Sequence, residues 1–477
     1  MNGGCGLLKG LTTKLDYKQI VLILYILFIH VLQIVLNRVS SHILIEMMMK
    51  LSNHIIVIIA LLFLVACGED RTHEYLELTE DNQWIYSKMK ENYMWSDSIV
   101  RPQAKEFFSN NSAFYKKLLM KYDHTSYFSD SALMTSYGMS FAVMRDPIGI
   151  KPSNTYALVL FVEPGSPADD AGIERGMWID AVNGNSITTS KYSMLERGNA
   201  STIYTSRIDI DDEGNYLWQK ADSFEIAASR NLESTSLYMD TVYNIQDRNI
   251  GYIVCNRFSE GTTKEKLADV LSRYSSSSVK DIIIDLRYNS GGSLKEAVEC
   301  AALFLPSSFA GKVVCNVEKG SGEITSYCFE HEAQKFNARE ISIITTSATQ
   351  GAAEVFAIAL QRTLGSSIVN IFGMPTAGAN MVTEKFDSPY GFSINPVTAQ
   401  IYTEENILIT SDELLIHNSI NELENIHSCR PLGNRQEYIL YNTIYYMLNG
   451  SLPIPDDENN KESNTIRYIP RDKAYIL

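Results

Sequence analysis

The segment DIIIDLRYNSGG, from Asp281 to Gly292, decides the fold. Its three consecutive isoleucines stand between two aspartates and predict an apolar-centred strand. Its two final glycines allow the backbone to turn sharply or to approach another segment closely. On either side, strand patterns alternate with helix patterns, which favours a largely parallel sheet with crossover helices. We therefore predict an α/β core over residues 240–450.

The other elements of this core follow from apolar periodicity and from turn residues. The predicted strands are Ile250–Val254 and Ile341–Thr345, and the predicted helices are Thr263–Tyr274, Leu294–Phe304 and Ala352–Leu364. The stretch 451–477 is polar, and we expect it to be a tail.

Residues 131–232 have the pattern of a small β-rich domain. The run VEPGSPADDAGI at Val162–Ile173 resembles the strand, short helix and turn of a PDZ module, which binds peptide C-termini by strand addition. The carboxylate-binding loop of such a module is expected at Tyr137, Gly138, Met139, Ser140 and Phe141. Peptide or protein C-termini are therefore the expected partners. The alternative is a module that serves only as an internal regulator or spacer.

The DLRYNSGG part of the deciding segment closely resembles the DLRxNxGG signature of the C-terminal processing peptidases, a family of Ser/Lys serine peptidases. The resemblance covers about residues 80–450. It implies a multi-domain α/β fold with a small helical N-terminal segment, a PDZ-like β-rich domain and a crotonase/ClpP-like protease core. It also implies that Gly291, Gly292 and Ala352 line the cleft and that backbone N–H groups there form an oxyanion hole.

In this family the nucleophilic serine stands at the start of a helix, in a segment close to T-A-S-A-S-E. The aligned stretch here is TQGAAE, Thr349–Glu354, which puts the nucleophile position at Gly351. Glycine has no side chain and cannot attack a carbonyl carbon. The sequence therefore predicts that this position is catalytically silent.

The family's general base is a lysine in a segment like G-E-P-T-x-G-K, kept neutral by burial. The aligned stretch here is GMPTAGA, Gly373–Ala379, which puts the base position at Ala379. Some family members place a glutamine four residues later, where this chain has Thr383. Loss of one member of a catalytic unit can cost as much as loss of all of it. We therefore predict a pseudoenzyme that binds peptides and does not cleave them.

Two alternatives stay open. The first is an active serine endopeptidase that cleaves near C-termini with a relocated nucleophile. Ser347 is then the fallback nucleophile, and Lys385 is the nearest lysine after the base position. His417 and His427 show no spacing that supports a catalytic triad. The second alternative is a structural scaffold of the cell envelope that binds no peptide.

Residues 47–67 predict export. A lysine precedes an apolar run of 12 residues from Ile55 to Ala66, which is short for a membrane span and fits a signal peptide. The run ends in LVAC, which resembles the bacterial lipobox with Cys67 as the lipidated residue. We therefore expect a lipid-anchored protein of the cell envelope, on the periplasmic face or on the outer surface of the outer membrane.

Residues 1–46 are interpreted as an upstream extension from a start codon assigned too early. The alternative is an extra hydrophobic segment, Ile20–Leu36, of marginal length for a membrane span.

Residues 68–130 predict a small helical segment. Apolar residues recur at helical spacing between Trp84 and Met94, and a second helical pattern spans Phe107–Met120. The segment is similar to the helical lead-in of processing peptidases of the Bacteroidetes lipoprotein type. Its aromatic side chains are expected in the core.

The chain has 477 residues and a formal net charge of −15, which disfavours nucleic acid as a partner. Its seven cysteines form no CxxC pair and no His/Cys cluster with zinc spacing, so no metal or cofactor is expected. Cys315 and Cys328 flank a glycine-rich turn. They are either bridged across a hairpin or two half-buried thiols.

Overall fold

The computed structural model describes residues 17–36, 72–130, 135–151, 153–330, 334–423, 429–453 and 465–469. The chain forms two compact units, residues 1–78 and residues 79–477. Helix α1, Tyr17–Leu36, belongs to the first unit. Over the described residues, no helix combines the length and the apolar character that crossing a membrane requires. The predicted signal peptide and its lipidation site Cys67 lie outside the described residues.

The helical segment of the second unit is smaller than its sequence pattern suggests. It contains the end of helix α2 (Thr72–Asn92), helix α3 (Asn111–Leu118) and 3₁₀ turns at Ser96–Ser98 and Ala104–Phe108. The predicted second helix, Phe107–Met120, is interrupted because the Asn110 side chain accepts the N–H groups of Ser112 and Ala113 and so starts α3 there.

This segment is joined to the core through a strand. Strand β1, Tyr127–Asp130, pairs antiparallel with β17, Phe392–Asn395, and β17 also pairs with β16, Phe386–Asp387. Ile85 and Met89 of α2 are completely buried in the same apolar cluster as Ile394. The stretch 68–130 is therefore not purely helical, and part of it completes a sheet of the core.

The β-rich domain is a single antiparallel sheet in the order β20-β2-β3-β4-β6-β7, with β5 paired to β4. Its elements are β2 (Met139–Arg145), β3 (Thr155–Val162), α4 (Pro167–Asp170), β4 (Trp178–Val182), β5 (Asn185–Ser186), a 3₁₀ turn at Tyr192–Leu195, β6 (Ser201–Ile210), β7 (Tyr216–Ile226) and β20 (Thr465–Ile469). One face of the sheet holds its own core, including Phe141, Val159 and Ile179.

Strand β20 corrects the expectation of a polar tail. Thr465–Ile469 lies within the stretch 451–477 and pairs antiparallel with β2, with Ile469 opposite Phe141. Its sequence, TIRYI, is rich in the β-branched and aromatic residues that favour strands. The polar run between residues 456 and 464 conceals this pattern when composition is averaged over the whole stretch.

The core is built around a six-stranded sheet in the order β19-β14-β13-β10-β9-β8, parallel except for β8. Its elements are β8 (Leu237–Ile245), β9 (Arg248–Cys255), α5 (Thr263–Ser276), β10 (Asp281–Asp285), α6 (Leu294–Ala302), β13 (Glu340–Thr345), α7 (Ala352–Leu364), β14 (Val369–Gly373), β19 (Ile416–Ser419) and α8 (Tyr438–Asn449). A second, antiparallel sheet contains β12 (Ile324–Cys328), β11 (Val313–Lys319), β18 (Val397–Thr403) and β15 (Met381–Thr383), and 3₁₀ turns lie at Ser307–Phe309 and Ser411–Glu413.

Helices cover both faces of the six-stranded sheet, an arrangement typical of parallel sheets with crossover helices. Ile282 and Ile284 of β10 face the cluster that includes α5, α6 and α7, whereas Ile283 faces the cluster that includes α8. All three isoleucines are 0–2% exposed. The predicted α/β multi-domain fold with a small N-terminal helical segment is therefore confirmed.

The register places three loops at one edge of this sheet. Strand β10 lies next to β13, and β13 lies next to β14, all in parallel. Because parallel strands end at the same edge, the segments that follow β10, β13 and β14 meet there. These are the segments that contain Gly291, Gly351 and Ala379.

The hairpin of β11 and β12 contains the two cysteines that flank the glycine-rich turn. The pairing shifts between Val313 and Cys315, so Cys315 stands opposite Tyr327 and not opposite Cys328. Both cysteines are free thiols. Burial raises the pKa of Cys315 to about 12, which leaves it protonated at neutral pH.

Candidate active site

The loop that follows β10 carries the two glycines of the deciding segment. Gly291 and Gly292 have φ angles of 95° and 122°, which glycine adopts far more readily than other residues. The buried Asn289 holds the loop: its side-chain oxygen accepts the Gly291 N–H at 2.9 Å, and its side-chain nitrogen donates to the Cys255 carbonyl oxygen at 2.9 Å. The loop is therefore fixed before any peptide binds.

Gly292 is required by a close approach of two backbones. A Cβ atom at this position would lie 2.3 Å from the Phe258 carbonyl oxygen, well inside contact distance. That oxygen accepts the Ser293 N–H at 2.8 Å, and the Phe258 N–H donates to the Gly291 carbonyl oxygen at 2.9 Å. Among the hydrogen bonds of the described residues, none uses the Gly292 N–H. This group is available to a carbonyl oxygen of a bound peptide.

The loop after β13 brings Gly351 to the same place. Gly351 precedes α7 with a φ of 58° and a ψ of −118°, a conformation that strains any residue with a side chain. A Cβ atom at Gly291 would lie 3.7 Å from the Gly351 Cα atom and 3.3 Å from the Ala352 nitrogen. The sequence-predicted cleft positions Gly291, Gly351 and Ala352 are therefore neighbours.

The segment after β14 contains Ala379, the position predicted from the sequence for the general base. The Ala377 N–H donates to the Thr349 carbonyl oxygen at 3.0 Å, which ties this turn to the loop before α7. At Gly378, where φ is 68°, a Cβ atom would lie 2.7 Å from the Ser411 nitrogen, so the turn is closely packed. Ala379 follows and is half-buried. Its side chain is a methyl group, which cannot accept a proton.

Glu354 connects the nucleophile position with the base position. Its carboxylate accepts the Gly351 N–H at 2.7 Å, the Gly378 N–H at 2.6 Å and the Ala379 N–H at 2.9 Å. Glu354 is 1% exposed. Burial raises the pKa of this carboxyl group, and the three N–H donors oppose the rise by stabilising the charged form.

The role of Glu354 does not follow from the alignment of Thr349–Glu354 with the family segment. A glutamate at the third position of a helix commonly reaches back to the N–H group at the helix start, and this pattern was visible in the sequence. Its second contact, with the turn at Gly378 and Ala379, depends on a fold that brings α7 and that turn together.

A cleft of about 1190 Å³ opens over these positions. It is lined by Gly291, Gly292, Gly351, Ala352 and Ala379. Its walls also include residues of the helical segment, such as Lys116, and of the β-rich domain, such as Ser136. The cleft therefore joins all three parts of the second unit and is large enough for several residues of a peptide.

The fallback residues lie away from this cleft. Ser347 is exposed in the loop after β13 and is not part of the cleft lining. Lys385 pairs with the exposed Asp387 at 2.8 Å and does not line the cleft either. Thr383 does line the cleft, but it has no basic group.

Of the two histidines considered in the sequence, the structure describes His417, and it is not assembled into a catalytic group. The Nδ1 atom of His417 accepts the Ile371 N–H at 3.0 Å, and burial lowers the pKa of this histidine. Both observations indicate a neutral, structural side chain. His427 lies outside the described residues. Within the described residues, no group of three or more His, Cys, Asp or Glu side chains is arranged to hold a metal ion.

The five residues of the predicted carboxylate-binding loop lie at the start of β2. The Gly138 N–H donates to the Ser136 hydroxyl at 2.9 Å, and the Gly138 carbonyl oxygen accepts the Glu163 N–H at 2.8 Å. Tyr137 is buried, and its hydroxyl donates to the Asn199 carbonyl oxygen. The remaining three, Met139, Ser140 and Phe141, begin β2 and are buried as well.

A buried ionic network, which the sequence did not reveal, joins the β-rich domain to the β10 loop. Arg175, just after α4, donates to Tyr288 Oη at 2.6 Å and to Glu422 Oε2 at 2.9 Å. Arg287 donates to Glu437 Oε1 at 2.9 Å. Burial alone would raise the pKa of Glu437, but the two arginines outweigh it and hold the pKa below its usual value. The loop before the two glycines is thus anchored in both domains.

Comparison with known proteins relates two segments of this chain to one peptidase family. The family model for peptidase family S41 matches residues 249–413, and the model for the peptidase S41 N-terminal domain matches residues 80–129. These matches cover the core and the helical segment.

The chain is similar to curated proteases over part of their length. It is 28% identical over 291 residues to the carboxy-terminal processing protease CtpA of Bacillus subtilis (strain 168), covering 59% of this chain and 58% of that protein. It is 27% identical over 247 residues to a CtpA-like serine protease of Staphylococcus aureus (strain COL), covering 50% of this chain and 46% of that protein. The chain thus spans about half the length of these relatives.

A solved structure assigned to the S41 proteases, from Bacteroides fragilis NCTC 9343, superposes with a TM-score of 0.63 and 25% identity. The match covers 77% of this chain and 97% of that chain. The matched segments, the shared fold and the DLRYNSGG loop agree: residues 80–129 and 249–413 match the two domains of peptidase family S41, and the chain is related to the C-terminal processing peptidases.

Proposed function

We propose that this protein is an exported, lipid-anchored member of the family that binds peptide or protein C-termini and does not cleave them. The family's substrates supply the partner class, because its members act on protein C-termini. The absence of cleavage is an inference from two residues of this chain.

The observation that carries the proposal is the pairing of Gly351 and Ala379 around Glu354. Each stands where the family places a catalytic side chain, and each is tied by its backbone N–H to the same carboxylate. The scaffold that would align a nucleophile and a base is therefore in place. The hydroxyl and the amine that would take and transfer the proton are missing at these two positions.

Binding is supported by the parts of the site that consist of backbone. The Gly292 N–H borders the cleft and is not used by a described partner. The β-rich domain, which we interpret as a PDZ-like module, adjoins the same cleft through Ser136 and Glu163. An extended peptide can therefore be held by strand addition and by backbone hydrogen bonds without a reactive side chain.

The relatives are named as proteases, so an active peptidase is the natural competitor of this proposal. It would require a hydroxyl group close to the Gly291 and Gly292 loop. Ser347, the fallback nucleophile, is exposed outside the cleft lining, and Lys385 is engaged with Asp387. These positions favour a protein that binds peptides without cleaving them.

The test combines cleavage, active-site labelling and binding. The purified chain is incubated with an unfolded casein and with a fluorophosphonate probe that labels reactive serines. We expect neither fragments nor labelling. A Ser347→Ala variant is the matched control: cleavage by the parent that disappears in this variant would show an active enzyme with a relocated nucleophile.

Binding is measured with a panel of fluorescent peptides, each with a free or an amidated C-terminus. We expect preference for the free carboxylate, since the proposed module recognises C-termini. If no peptide of either form binds, the structural scaffold becomes the better interpretation.

Anchoring is tested separately with a Cys67→Ser variant of the full chain. We expect the parent to partition with membranes and to carry acyl chains on its N-terminal peptide by mass spectrometry, and the variant to lose both. Equal membrane association of the two proteins would refute the lipid anchor.

A further inference from the structure

Strand β20 covers the edge of the β-rich sheet at which strand addition would take place. Within the described residues, the only other neighbour of β2 is β3, so β2 would be an edge strand without β20. An edge strand presents backbone N–H and C=O groups that can pair with another chain. These groups of β2 are used by a segment of the same polypeptide, Thr465–Ile469.

The pairing has the direction that a bound peptide would need. Thr465 stands opposite Met144 and Ile469 stands opposite Phe141, so β20 runs antiparallel to β2 and towards its beginning. Ser136, three residues before the start of β2, lines the cleft. A strand on this edge therefore runs towards the cleft that contains Gly291 and Gly351.

The register also indicates that β20 can detach from β2 and pair with it again. Only four residues of β2 have partners in β20, and the register shifts between Val143 and Met144. A short strand with an irregular register makes few regular backbone hydrogen bonds, so its loss is tolerable for the sheet. By contrast, β2 pairs with β3 over seven of its residues.

We propose that Thr465–Ile469 is an intramolecular ligand that occupies the peptide-binding edge of β2, and that an extended peptide must displace it to bind. This inference rests on the proposed binding function and adds its regulation. Because the segment is tethered, its effective concentration at β2 is in the millimolar range, which lowers the apparent affinity for any free peptide. The peptide that would replace Thr465–Ile469 on β2 is an extended, β-prone segment.

The test uses the full chain and two double variants. Arg467→Pro with Tyr468→Pro removes two successive N–H groups of β20, and one of them faces β2 because N–H groups alternate along a strand. Arg467→Lys with Tyr468→Phe is the matched control, since it changes the same positions and keeps both N–H groups. The probe is a fluorescent, C-terminally amidated peptide with the sequence of residues 463–471.

We expect the proline variant to bind the probe at least about tenfold more tightly than the parent and the control. Hydrogen exchange provides a second measurement, because those amides of Phe141–Met144 that face β20 should exchange faster in the proline variant when no probe is present. Addition of the probe should restore their protection.

Two outcomes would overturn the proposal. One is equal probe affinity of the parent and the proline variant, including no binding to either. The other is unchanged exchange at β2 in the proline variant. Failure of the proposed function can be told apart from failure of this proposal. In that case none of the proteins would bind any peptide of the free C-terminus panel, but the difference in hydrogen exchange at β2 would persist.

Discussion

The carboxylate of Glu354 accepts the backbone N–H of Ala379 at 2.9 Å. The same oxygen accepts the Gly351 N–H at 2.7 Å. One buried side chain thus fixes the distance between Gly351 and Ala379, the two positions predicted from the sequence for the nucleophile and the base. Because this contact uses backbone N–H groups, it is independent of which side chains stand at the two positions.

Replacing Glu354 with glutamine should destabilise the fold. The glutamine has one carbonyl oxygen for three N–H donors, and its own NH₂ group would face donors. Unsatisfied buried groups cost about 1–3 kcal/mol each, so we expect a loss of about 2–4 kcal/mol in the free energy of unfolding, measured with urea. The exposed Glu233→Gln is the control and should change little. Equal effects of the two substitutions would contradict the central role of Glu354.

Restoring both family side chains should restore cleavage. A Cβ atom at Gly351 would meet only the Gly291 Cα atom, at 4.0 Å, so a serine has room there. The φ of 58° adds backbone strain of about 1–3 kcal/mol. We expect weak but measurable casein cleavage from the double variant Gly351→Ser with Ala379→Lys. Each single variant should remain inactive, and an inactive but folded double variant would show that the alignment of these positions is wrong.

Gly138 is expected to tolerate no side chain. Its φ is 86°, and a Cβ atom would lie 2.2 Å from the Ser166 Cβ atom. Gly214 has the same φ of 86° but open space around it. Both alanine variants therefore carry similar strain, and only Gly138→Ala adds a collision. We expect a midpoint of thermal unfolding several degrees lower for Gly138→Ala than for Gly214→Ala; equal midpoints would mean that the loop moves freely.

Arg175 should couple the β-rich domain to the core. Its replacement by methionine removes one of the buried positive charges that face Glu422 and Glu437. Breaking a buried salt bridge typically lowers the free energy of unfolding by about 3–5 kcal/mol. The exposed Arg207→Met, which breaks an ion pair at the surface, is expected to cost less than about 1 kcal/mol. Urea unfolding of both variants provides the comparison, and a neutral Arg175→Met would remove this network as a determinant of stability.

The same network predicts acid sensitivity. The pKa of Glu437 is lower in the folded chain than its usual value of 4.5, so the folded state binds fewer protons than the unfolded state. Its stabilising contribution is complete above the usual value and is lost as the pH falls through the depressed pKa. We expect Glu437→Gln to be less stable than the parent at neutral pH and to lose less stability on acidification. Parallel pH profiles of the two proteins would contradict this assignment.

Much of the fold could be predicted because the signals are local. Three isoleucines in succession predict an apolar-centred strand, and β10 spans all three. The apolar spacing of Ala352–Leu364 gives the bounds of α7 without error. The strand within 451–477 is not evident from composition because its five residues, four of them β-branched or aromatic, follow a longer polar run. A strand this short is stable only when an edge is available to it.

The sequence alone determined that positions 351 and 379 carry a glycine and an alanine, because the identity of a residue does not depend on the fold. The tertiary structure decided that these positions are held by one carboxylate and that Ser347 lies outside the cleft. It also decided that Arg175 reaches Glu422 and that Thr465–Ile469 covers β2. These are contacts between segments far apart in the chain, and they form only when folding brings the partners together, so no local pattern of residues encodes them.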